Sequence, residues 1–164
     1  MSSEISHDSL RYKFSWTEVT KVPESIKEHI RMGLQKVWED NMGTDREFKV
    51  IIAGTLIDSD TNKPTDILAE YDSESDTFRF AMDIIKRQLE GSLDLNVLII
   101  AAHEAFHAVQ VALGDPPPLY KGNQNYEDDR HEREAWEAAK KVASSIYPGV
   151  YGKIVRNGRV LLEL

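Results

Sequence analysis

Two histidines one helical turn apart, with a glutamate directly after the first, are the residues of this chain best suited to chemistry. They stand in His103-Glu104-Ala105-Phe106-His107, inside the longest apolar run, Asp94 to Leu113. Side chains at i and i+4 project from neighbouring turns of a helix, so the two imidazoles can share one metal ion. Glu104 stands beside the pair, where a carboxylate can hold and deprotonate a water without occupying a ligand position. The pattern H-E-x-x-H thus draws two ligands and a general base from a single helix. At 100° per residue, Asn96, His103, His107 and Gln110 fall in a stripe roughly 60° wide on an otherwise apolar surface. A helix apolar nearly all round is buried, and each unpaired buried imidazole or carboxylate costs free energy. Such a stripe reads as a site rather than as core packing.

A catalytic zinc usually takes three protein ligands and leaves a fourth position for water. The chain has no cysteine, so the third ligand must be a histidine or a carboxylate. A helix beginning Asp128-Asp129-Arg130-His131-Glu132-Arg133-Glu134, beyond the Pro116-Pro117-Pro118 exit and the polar loop Tyr120 to Asn125, is the natural donor. Ala135, Ala139, Val142 and Ile146 mark its inward line. Asp128 lies on that line, and His131 and Glu132 flank it by roughly 50° on either side. Glu134 lies well over roughly 90° away and should face solvent. Periodicity leaves both His131 and Glu132 open.

The elements that must position these groups follow from the rest of the pattern. Leu10, Tyr12, Phe14 and Trp16 alternate with polar residues, as in a half-buried strand. Pro23 suits the first turn of a helix whose apolar face is Ile26, Ile30, Leu34 and Val37. Phe48 to Ile57 is apolar on both faces and so reads as a central strand. Ile67 to Tyr71 and Thr77 to Met82 are shorter strands joined by the acidic turn 72–76, which lacks the glycine and terminal glutamate of a calcium loop. Ile84 to Gly91 reads as a linker or a short helical turn. Ser92 or Asp94 can cap the buried helix and Gly114 can end it. Ile154 to Leu161 reads as a hairpin about Asn157-Gly158, carrying Lys153, Arg156 and Arg159.

At 164 residues the chain reads as one domain, with residues 1–9 expected to be disordered. The net charge of −8 argues against nucleic-acid binding. MSSEISHDSL lacks the basic and apolar regions of a secretory signal. The polar residues of the 94–113 run make it a poor membrane span. The expected setting is the cytoplasm, with neither a nucleic-acid nor a membrane partner.

HEAFH followed some 25 residues later (Glu132 lies 25 past His107) by a helix reading E-x-x-A resembles the zincin metallopeptidases, in particular the gluzincins. In that pattern the third ligand is a glutamate on the next helix, which here is Glu132, with Ala135 three places on. The resemblance implies an α+β fold over residues 10–149: an N-terminal strand and backing helix, a small, mostly antiparallel twisted sheet, the buried HExxH helix and a second ligand-bearing helix. Residues 150–164 would form a C-terminal hairpin on the same domain. It also implies a zinc-dependent peptidase, with Glu104 catalytic and a peptide or protein as substrate. Thr77 to Met82 would be the sheet edge on which the substrate pairs. Tyr120, Tyr126 and His131 are candidate oxyanion donors by position alone. Two departures stand out. Trp136 occupies the place where gluzincins often carry an aspartate supporting a histidine. Gln110 and Leu113 occupy those of the metzincin glycine and histidine. Other readings are a binding or regulatory module on the same scaffold, a structural zinc closed by His131 or Asp128, and a helical core without metal.

Overall fold

The computed structural model describes residues 12–118 and 130–164. Its elements run β1 (Tyr12–Glu18), α1 (Glu24–Asn41), β2 (Arg46–Ala53), β3 (Ala69–Asp72), β4 (Thr77–Ala81), α2 (Met82–Gln88), α3 (Leu93–Ala112), α4 (Arg130–Ile146), β5 (Lys153–Arg156) and β6 (Arg159–Glu163). The class is α+β: among the described residues there are a mixed four-stranded sheet, four helices and a separate two-stranded hairpin.

Strand order in the sheet is β1-β2-β4-β3. β1 pairs with β2, and β2 with β4, in parallel; only β3 and β4 are antiparallel. The expectation of a mostly antiparallel sheet is therefore corrected. The connections explain it: α1 carries the chain back between β1 and β2, a crossover that parallel neighbours require. β3 and β4 are joined only by the turn 73–76 and form a hairpin. A second correction follows from the same order. β4 lies between β2 and β3, so the strand expected at the edge is internal and β3 is the edge.

Phe48, Val50 and Ile52 of β2 lie on one face, in register with Phe78 and Phe80 of β4, and are buried under the helices. α1 turns Ile26, Ile30, Leu34 and Val37 inward, as its spacing requires. Gly33 allows α1 to approach α3 closely: a Cβ there would sit 2.6 Å from the Leu98 carbonyl oxygen and 2.9 Å from the Ala101 Cβ. α3 is buried from Asn96 to Gln110 except at Phe106. It is long and apolar enough to cross a membrane by length and composition, yet most of it lies inside the fold as the core helix. Ser92 caps it, its Oγ accepting the Leu95 N–H at 3.3 Å, while Asp94 accepts from Ser25 instead. Gly114, with φ +79°, follows its last turn.

Residues 82–88, within and just before the stretch read as a linker or short turn, form α2, with Met82, Ile84 and Ile85 buried. The acidic turn is occupied by its own neighbours. Asp72 accepts from the Glu74 N–H, Ser75 and Arg79, and Asp76 from Arg46 and Tyr71. The hairpin turns at Asn157 and Gly158, both at positive φ as a type I′ turn requires. It is tied to the end of α2 and the residues just after it by Glu90 N–H to the Val155 carbonyl and Asn157 N–H to the Gln88 carbonyl. The expectations for residues 1–9, the Tyr120 to Asn125 loop, the Asp128 position, Tyr120 and Tyr126 lie outside the described residues.

Candidate metal centre

α3 and α4 cross so that the stripe of one meets the first turn of the other. His103 and His107 stand one turn apart with ring centroids 4.7 Å apart and planes at 86°. Both present Nε2 to the carboxylate of Glu132: His103 at 3.1 Å from Oε1 and His107 at 2.6 Å from Oε2. One donor atom from each of the three lies within 4.8 Å of the others, and all three side chains are buried. Glu132, at 1 % exposed, is the most deeply enclosed of them.

This group fits a divalent cation. Its donors are two imidazole nitrogens and a carboxylate, they converge, and three protein ligands leave a position open. Imidazole and carboxylate suit several first-row divalent ions, zinc among them. The group opens on a cleft of about 650 Å³ whose walls include Leu68, Tyr71, Ile100, Val111, Pro117 and Trp136. The edge strand β3 runs along one side.

Electrostatics follow from the enclosure. Burial alone would raise the Glu132 pKa, but hydrogen bonds from His103 and His107 outweigh it and hold the carboxyl well below the ordinary carboxylate range. Burial likewise works against a charged His103. Its hydrogen bonds to Glu104 and Glu132 prevail and push the ring up to about 9. In the metal-free chain this imidazole carries a proton at neutral pH, which a cation must displace.

No family model, characterised protein or solved structure matches this chain.

Glu132, one of the two residues that helical phase left open, completes the group. The alternative ligand, His131, does not enter it: its Nε2 lies 3.1 Å from Asp115 Oδ1, and Arg130 sits beside it. Glu104 lines the cleft, with Oε2 2.9 Å from His103 Nδ1. This carboxylate supports the far side of the His103 imidazole, the kind of contact that orients histidines in metal sites. Glu134, expected to face solvent, is half-buried and accepts from Arg130 at 3.0 Å and from Gln110 at 3.2 Å.

Two contacts were not expected from the sequence. The Trp136 ring lies 4.1 Å from the His103 ring, closing one side of it with indole where an aspartate was the pattern to compare. Gln110 places Oε1 2.8 Å from His107 Nδ1. The available signal was its place three residues past His107 on the same stripe. Farther along the cleft, Arg156 of the hairpin donates to Gln88 Oε1 at 2.6 Å and to the Asp66 carbonyl, joining the hairpin to the segment that leads into β3.

Proposed function

We propose that this chain is a zinc-dependent hydrolase of peptide bonds, a minimal single-domain relative of the gluzincin-type zincins. His103, His107 and Glu132 would hold the ion and Glu104 would act as base. The observation that supports this most is the convergence of three buried donors at the wall of an open cleft that runs beside a sheet edge. When bound, zinc supplies Lewis acidity toward the scissile carbonyl and makes water a stronger nucleophile near neutral pH.

The chain's own residues supply the rest. Among the described residues no strand pairs with the outer side of β3, on which an extended peptide can add as a further strand. Ile100, Val111 and Trp136 line the cleft and exclude water from a bound substrate. Glu104 turns about its side-chain torsions from His103 into the cleft, accepts a proton from the attacking water and delivers it to the leaving amine.

A second reading has one observation in its favour. Glu104 is bonded to His103 Nδ1, and a carboxylate confined to that support would give a protein that holds a metal without hydrolysis, as a binding or regulatory module. The two are separated by incubating the zinc-loaded chain with an unstructured polypeptide, with and without chelator, beside Glu104→Gln. Hydrolysis predicts cleavage that chelator stops and added zinc restores, with the variant slower by about 10²–10⁴-fold at unchanged metal content. Cleavage by the variant at the full rate would remove Glu104 as base, and no cleavage by the loaded chain would favour the binding module.

A further inference from the structure

We infer that Gln110 is a positioning residue that sets the tautomer of His107 and fastens the helix bearing Glu132 to the helix bearing both histidines. This rests on the metal-binding reading above. Gln110 is 3 % exposed and its amide is engaged at both ends. Oε1 lies 2.8 Å from His107 Nδ1, while Nε2 donates to the His131 carbonyl at 3.0 Å and to Glu134 Oε1 at 3.2 Å.

These partners decide which way the amide points. A backbone carbonyl and a carboxylate oxygen only accept hydrogen bonds, so the atom facing both must be the NH2 group. The amide oxygen is thereby left for His107, and Nδ1 opposite it must carry a hydrogen. A ring that keeps its hydrogen on Nδ1 gives up only the one that Nε2 shares with Glu132 at 2.6 Å when a cation binds, and its Nε2 lone pair then faces the ion. In the other tautomer Nε2 holds a hydrogen and cannot coordinate.

The second hydrogen bond acts on the other ligand. His131 immediately precedes Glu132, so capture of its carbonyl holds the first turn of α4 against α3 at the residue that supplies the carboxylate. Glu134 and Asp115 continue the link through Arg130, at 3.0 and 2.9 Å. One buried amide thus orients one ligand ring and the backbone beside a second ligand.

The test uses the full chain and Zn²⁺ in two measurements: affinity by competition with a chromophoric chelator, and the His107 Nδ1 proton by ¹H–¹⁵N correlation of the loaded protein. Wild type should show a slowly exchanging, hydrogen-bonded Nδ1 proton. Gln110→Leu should bind zinc about 10–100-fold more weakly and lose that resonance to exchange. Gln110→Glu, whose carboxylate still accepts from Nδ1 but no longer donates to the His131 carbonyl, should keep the proton and lose less affinity than Gln110→Leu, up to about tenfold. A packing role predicts the reverse order, because leucine matches the volume whereas glutamate sets a second carboxylate beside Glu134. Wild-type affinity in Gln110→Leu, or a larger loss in Gln110→Glu, overturns the role. Should Gln110→Leu not fold, Gln110→Glu decides alone: retention of the Nδ1 proton with affinity within about tenfold supports the role, and loss of that proton or a greater loss of affinity overturns it. A wild-type chain that takes up no Zn²⁺ removes the metal reading and this role together, whereas zinc uptake by wild type and Gln110→Leu alike removes only the role.

Discussion

Helix α3 is packed in two different ways by its two helical neighbours. Against α1 the junction is apolar and close: Gly33 lies over Leu98, Ala101 and Ala102, and even one added methyl has no room. Against α4 the junction also buries polar groups, with His103, His107 and Gln110 facing Glu132 and the first-turn backbone beside it. The first is specified by volume and has one solution. The second is specified by charge and hydrogen bonding, and its state depends on pH and on whatever cation is present. A single helix therefore carries both the rigidity of the fold and its chemistry, on different faces.

The largest effect should come from the polar junction. Glu132→Ala removes the carboxylate between the two imidazoles and should lower zinc affinity by more than about 100-fold, taking peptide hydrolysis with it. His131→Ala should leave zinc affinity within a few-fold, since its ring pairs with Asp115. Equilibrium dialysis of both variants tests this, and equal losses would return His131 to the ligand set. Gly33→Ala probes the other junction. The forced displacement should cost about 1–3 kcal/mol of unfolding free energy in urea titration, with the zinc affinity of the folded chain unchanged.

Proton linkage sharpens the contrast. Because His103 in the metal-free chain titrates at about 9, zinc affinity should rise about tenfold per pH unit from 7 to 9 and level off above that. Its raised pKa makes a stabilising contribution that is complete below its ordinary value of 6.5 and lost as pH climbs through 9. Glu132, with a lowered pKa, contributes above its ordinary 4.5 and loses that contribution as pH falls toward its folded value. The thermal unfolding midpoint of the metal-free chain should therefore peak between pH 4.5 and 6.5, and the alkaline decline should shrink in Glu132→Ala, where Glu104 alone supports the charged ring, but persist in full in Gly33→Ala. The smallest effect belongs to the helix start. Ser92→Ala should cost about 1 kcal/mol through loss of the cap, at unchanged zinc affinity.

Much of this arrangement was legible in the residues. α3 runs Leu93–Ala112 where the apolar run indicated Asp94 to Leu113, and the Asn157-Gly158 turn and the inward line of α1 follow their local rules. Strand direction was not legible, because alternation shows which side chains share a face and says nothing of which way a neighbour runs. α2 is too short for a helical period to emerge from Met82 to Gln88. Helical phase could not choose between His131 and Glu132, because both flank the apolar line of α4; the resemblance favoured Glu132, and the position of α3 brings that carboxylate to the two histidines. Gly33 was hidden because its importance lies in a neighbouring helix, and Gln110 showed only as a member of the stripe, without its partners on α4. A glycine within a helix reads as a tolerated cost until a backbone is found 2.6 Å from where its Cβ would be.

Metal content addresses the central claim most directly. The purified chain, dialysed against Zn²⁺ and then against buffer, should retain close to one ion per molecule by elemental analysis, and Glu132→Ala prepared in parallel should retain essentially none. A wild-type chain without bound zinc, or a variant that holds as much as wild type, would contradict the assignment of His103, His107 and Glu132 as a metal centre.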